Sequence, residues 1–126
     1  MHTPQVITVA TDTSVSFNIK SSYMLASAEC SLFFPVDDIP ETHTGTWYYV
    51  NRVIVPINFS VKNAGVLLML AMVKWADSND VNFIEENSPY RGHVMSLNQL
   101  NKFDSLFGFK LVKEPNLLIR KYRHQV

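Results

Sequence analysis

Residues 53–68 (VIVPINFSVKNAGVLL) concentrate the groups that could hold a ligand. A β-branched run ends at Pro56, a short polar loop follows, and an apolar run begins at Gly65. Read as strand, loop and helix, this junction leaves the first helical N–H groups without intrahelical acceptors. The helix dipole adds partial positive charge at the same place. Asn63, Ala64 and Gly65 are small enough for the backbone to approach a phosphate, and Lys62 supplies a full positive charge. Ser60, Val61, Lys62, Asn63, Ala64, Gly65 and Val66 therefore form a candidate pyrophosphate cradle. Other chemistry is sparse. Cys30 is the only cysteine, which excludes an intrachain disulfide, and its apolar surroundings make it a small core hydrophobe. His2, His43, His93 and His124 are scattered without metal-ligand spacing, so no metal site is expected.

The elements that must position the cradle follow from hydrophobic period. Residues 5–10 are a short β-branched strand. Residues 14–20 alternate, with Val15, Phe17 and Ile19 on one face and Ser16, Asn18 and Lys20 on the other. Residues 23–34 form a third strand, 35–45 an exposed loop, and 46–55 a fourth strand stopped by Pro56. Residues 65–77 are apolar almost throughout and predict a helix buried on most sides. Residues 81–84 form a strand, and 96–107 a second helix with Leu97, Leu100, Phe103 and Phe107 on one stripe and Gly108 as C-cap. Strands at 109–112 and 117–122 close the chain. The order is β-β-β-β-α-β-α-β-β, an α/β (α+β) mixed sheet. Its strand–helix–strand unit makes the fourth and fifth strands parallel.

Apolar residues make up 47% of the chain and charged residues 17%, a balance that supports a core and opposes disorder. The length of 126 residues suits one domain, residues 1–126. The 11 basic and 11 acidic residues cancel, which argues against nucleic acid as a partner, because that role needs excess positive charge to displace counterions. The run Arg120, Lys121, Arg123 with His124 reads as a solvated strand end, with a phosphate-contacting patch as the alternative. No basic region followed by an apolar run opens the chain, and its longest apolar run, residues 64–73, is too short to span a bilayer. A cytoplasmic protein with no membrane partner is the expectation.

Residues 53–68 resemble the acetyl-CoA motif of the GNAT acyltransferases: a strand ending in Val-x-Pro, an Arg- or Gln-x-x-Gly-x-Gly/Ala loop, then a helix. LNQLNKFDSLFGF, residues 97–109, resembles the family's closing signature, an aromatic-rich helix ending in Gly-Phe before the last two strands. The resemblance implies a GNAT-like fold and an N-acetyltransferase. Such an enzyme passes an acetyl group from acetyl-CoA to an amine (a protein lysine, an N-terminus or a small amine) by direct attack. It implies a CoA pyrophosphate on the backbone of residues 60–66. It implies a pantetheine arm along Val53, Ile54 and Val55, where the fourth strand splays from the fifth and a backbone N–H polarises the thioester carbonyl. The family's tyrosine acid falls on Asp104, which serves only if burial raises its pKa and is otherwise an exposed residue on a helix face. The fourth strand offers Tyr48, Tyr49 and Asn51 but no carboxylate. Glu85 and Glu86 are then the nearest candidates for the base, against an ordinary solvated role. Tyr90, Arg91 and His93 lie in the connection that would flank the thiol.

The chain also departs from the pattern. Ser60 stands for Arg or Gln, Asn63 for the first glycine, and one extra residue follows Pro56. The family's two N-terminal helices are not evident, leaving the acceptor side open or completed by a second subunit in a homodimer. These departures keep a second reading open, a catalytically degenerate GNAT-fold protein acting as an interaction or inhibitor module.

Overall fold

The computed structural model describes residues 5–88 and 95–123. The first strand, β1 (Ile7–Ala10), is exposed along its whole length. A turn held by the Thr11 hydroxyl, which accepts from the Ser14 N–H at 3.0 Å, leads into β2 (Ser14–Ser21). The alternation read from the sequence appears here as burial of Val15, Phe17 and Ile19. β3 (Met24–Phe33) pairs antiparallel with β2, and β4 (Thr46–Ile54) pairs antiparallel with β3 across an irregularity at Glu29/Cys30.

Helix α1 (Ala64–Asn79) then crosses to β5 (Val81–Glu86), which lies parallel to β4. Helix α2 (Leu97–Ser105) leads to β6 (Lys110–Lys113) and β7 (Leu117–Arg120). The sheet order is β1-β2-β3-β4-β5-β7-β6, and every pairing except β4–β5 is antiparallel. The fold is thus a mixed seven-stranded sheet with two helices.

The helices pack on one face of the sheet. Phe17, Ala28, Val50, Phe83 and Leu118 from the strands meet Leu68, Met69 and Met72 of α1, with Phe103 and Phe107 of the α2 segment against them. Four α1 residues spaced by four (Ala64, Leu68, Met72, Ala76), together with Met69, are buried. The expectation of burial on most sides is corrected, because Leu70 is 50% exposed. The helix seals one layer of sheet, and its outer side faces water.

The opposite face is covered at one end by residues 34–45. The Thr42 side chain is buried there, donating to the Ile39 carbonyl at 2.8 Å, and the Trp47 indole donates to the Thr44 carbonyl at 2.7 Å. This loop roofs a second cluster of Trp47, Ile84 and Ile119. Ser96 caps α2 in a reciprocal capping box with Gln99, and Gly108 ends the segment at φ +94°.

Arg120 corrects the reading of the basic C-terminal run. It is buried and grips Asp77 of α1 through two bonds of 3.0 and 3.1 Å. Its Nε also donates to the Phe107 carbonyl at 2.8 Å. Lys121 and Arg123 remain exposed, and His124 lies outside the described residues.

Candidate functional site

The β4–β5 ladder begins at Thr46/Val81 and ends at Tyr49/Ile84. β4 runs on to Ile54, where Ser27 of β3 still pairs with it. Beyond Tyr49, the edge of β4 that faces β5 has no strand partner among the described residues. Its backbone donors and acceptors are the kind that an extended ligand satisfies. Val53 and Ile54 are half-buried on this stretch, and Val55 is exposed just after it.

The chain then turns twice before α1. Phe59 N–H donates to the Pro56 carbonyl at 3.2 Å, and both Asn58 and Asn63 adopt left-handed backbone, at φ 62° and 59°. Asparagine accepts that region more readily than most residues. No side chain caps α1 among the described residues, and Leu67 N–H donates to the Asn63 carbonyl at 3.0 Å. The amides of Ala64, Gly65 and Val66 therefore come ahead of the first helical bond. Lys62 beside them is exposed. The Ser60 hydroxyl is taken by the Ser21 hydroxyl, which fastens the loop to the β2–β3 hairpin. A Cβ on Gly65 would sit 3.9 Å from the Phe103 ring, an ordinary contact, so packing does not by itself demand glycine there.

The candidate acids are placed otherwise than expected. β5 extends past Ile84, which puts Glu85 and Glu86 inside the strand rather than in a solvated loop. Glu86 is exposed, but Glu85 faces the helices and is 7% exposed. Asp104, expected on an exposed helix face, is 5% exposed. Both corrections have one cause: β5 and α2 bring these side chains together beneath α2. Glu85 lies within hydrogen-bonding reach of Asp104. Asp104 Oδ2 also accepts from Asn87 Nδ2 at 2.8 Å, and the same amide reaches Asn101 Oδ1 at 2.9 Å. Asn101 donates to the Pro115 carbonyl at 2.9 Å, and Asn116 donates to the Asn87 carbonyl at 2.7 Å.

Burial first, and the bond to and charge of Asp104 second, push the Glu85 carboxyl well above the usual carboxylate range. Burial, assisted by Glu85 and Glu29, pushes the Cys30 thiol far up, in keeping with a core residue rather than a nucleophile. Burial, with Glu86 and Glu85 behind it, also raises Tyr49.

Tyr90, Arg91 and His93 lie outside the described residues. The asparagines of the buried network escaped the sequence reading. A faint signal was present: Glu85 and Asn87 share a strand face by their spacing of two, and Asn101 and Asp104 share a helix face by their spacing of three. Two surface depressions, of about 400 and 390 Å³, lie elsewhere. One runs between β1 and α1 beside Thr8, Lys74 and Trp75, the other beside Ile39, Glu86 and Pro115. Neither depression is lined by residues 60–66. No metal-holding group of side chains occurs among the described residues, and no helix there is long and apolar enough to cross a membrane. No family model matches the chain, and no curated protein or solved structure is significantly similar to it.

Proposed function

We propose that the chain is a GNAT-like N-acetyltransferase that takes acetyl-CoA and passes the acetyl group to an amine. The observation that carries this reading is the coincidence of two backbone edges without a partner among the described residues: β4 beyond Tyr49, and the uncapped start of α1. In this reading the diphosphate rests on the amides of Ala64, Gly65 and Val66 with Lys62 alongside, and the pantetheine amides pair with β4 at Val53, Ile54 and Val55. A β4 N–H polarises the thioester carbonyl. The amine nitrogen attacks that carbon, the C–N bond forms, the C–S bond breaks, and the thiolate leaves with a proton. The acceptor is a protein lysine, an N-terminus or a small amine. A homodimer is the natural way to complete the acceptor side.

Calorimetric titration with acetyl-CoA tests the reading. Wild type should bind, and Gly65→Asp should bind at least about tenfold more weakly, because it sets a negative charge in the cradle. The variant is expected to fold, since acids are favourable in a first helical turn and the Cβ has room. Absence of heat with wild type at high micromolar protein would sink the proposal.

A second reading, a degenerate GNAT-fold interaction module, is favoured by Asp104. Its carboxyl is buried, bonded by Asn87 and set against Glu85, rather than presented on an exposed helix face. Binding of acetyl-CoA without thiol release across a panel of amines would select this alternative.

A further inference from the structure

Two carboxyl groups meet inside this protein with one oxygen left over. Glu85 on β5 and Asp104 on α2 are 7% and 5% exposed, and they lie within hydrogen-bonding reach of each other. Yet Glu85 Oε1 has no N–H or O–H donor among the described residues. No cation joins them there either. Asp77 has Arg120 at 3.0 Å and Glu29 has Arg52 at 2.7 Å, but among the described residues this pair has only the neutral Asn87 amide. Among the described residues, the titratable groups around it bring no positive charge inward: Cys30 and Glu29 on β3, Tyr49 on β4, Glu86 on β5. Lys102 on α2 and Lys110 on β6 are exposed. Two bare carboxylates at such depth would repel strongly and leave lone pairs unmatched. One proton between them removes a charge and lets one carboxyl donate to the other.

We propose that Glu85 and Asp104 share a single proton and act as a latch that seats α2 on the end of β5 and, through α2, against the start of α1. Asn87 and Asn101 extend the latch to the β6–β7 turn at Pro115. Phe103, adjacent to Asp104, lies against Gly65 and so carries the position of α2 to the first turn of α1. Loss of the proton places two charges in a dry contact and drives α2 from its seat. Glu85 keeps its proton in the folded state at pH values where the unfolded chain has released it. The latch is therefore strongest below the free carboxyl value of about 4.3 and weakens as pH rises through the folded value, by up to about tenfold in the folding constant per pH unit.

The test is urea unfolding of the full chain between about pH 5 and pH 9, with Glu85→Gln and Asp104→Asn beside wild type. Glutamine donates an N–H to Asp104 without needing a proton. From the lower to the higher pH, wild type should lose at least about tenfold more of its folding constant than Glu85→Gln does. Parallel profiles for the two proteins would overturn the latch. If both variants fail to fold, the infrared spectrum of wild type at neutral pH decides. A protonated-carboxyl stretch supports the shared proton, and its absence removes it. Neither readout involves acetyl-CoA, so failure of the latch and failure of the acetyltransferase reading are separable.

Discussion

Asp77 and Arg120 hold the last turn of α1 to β7, and they show how much one pair can carry. The guanidinium makes a forked contact with Asp77 and a further bond to the Phe107 carbonyl, and the Arg123 N–H donates to Asp77 Oδ1 at 2.8 Å. Arg120→Ala should cost about 2–3 kcal/mol, because it strands a half-buried carboxylate and a carbonyl. Urea unfolding at neutral pH measures the loss. Partial burial pushes the Asp77 carboxyl up. The bonds from Arg120 and the Arg123 N–H, with the charges of both arginines, outweigh it and hold the group below the usual range. Asp77 therefore adds stability that is fully present above the free value of about 3.9 and disappears as pH falls through the folded value. Asp77→Asn should flatten the acid limb of the stability profile below about pH 4. Residue type alone did not reveal this role. A basic run near a terminus reads as solvated until the partner on a distant helix is seen. Glu85 and Asp104 make the same point, since their chemistry was legible as carboxylate but their burial was not.

At the scale of elements, two backbone positions carry consequences for stability. Asn63 precedes α1 at φ 59°, a conformation in which a Cβ-bearing residue without a compensating side chain costs about 1–2 kcal/mol. Asn63→Ala should lose about that much, while Asn63→Gly should be close to neutral, as thermal melts would report. Gly108 is more constrained. Its φ is +94°, and an added Cβ would sit 3.3 Å from Arg120 Nε. Gly108→Ala should therefore cost more than about 1 kcal/mol and disturb the Arg120–Asp77 contact as well. β2 and α2 were visible in the sequence because their signals are local: alternation in β2, an apolar stripe on α2 and a glycine after its last turn. The extent of β5 was not. Glu85 and Glu86 resemble loop residues by type, and only pairing with Leu118 and Leu117 of β7 draws them into the strand.

For the molecule as a whole, the sheet–helix core should dominate stability. Phe83 is fully buried, stacks on Phe109 with centroids 6.2 Å apart and lies 6.4 Å from Trp75. Phe83→Ala should cost about 3–5 kcal/mol in denaturant unfolding. Ile57→Ala, at a residue 80% exposed, should change stability by less than about 0.5 kcal/mol. The sequence by itself determined the order of elements, the parallel pairing of the strands flanking α1, the buried face of β2 and the fate of Cys30 as a core residue. Each follows from periodicity or from chain connectivity, which act between near neighbours. Tertiary structure alone decided where the β4–β5 ladder stops, which side of α1 faces water, and that two acids 19 positions apart in sequence would be buried against each other with three asparagines around them. Those outcomes depend on which distant surfaces exclude water from one another, and hydrophobic period does not encode that choice.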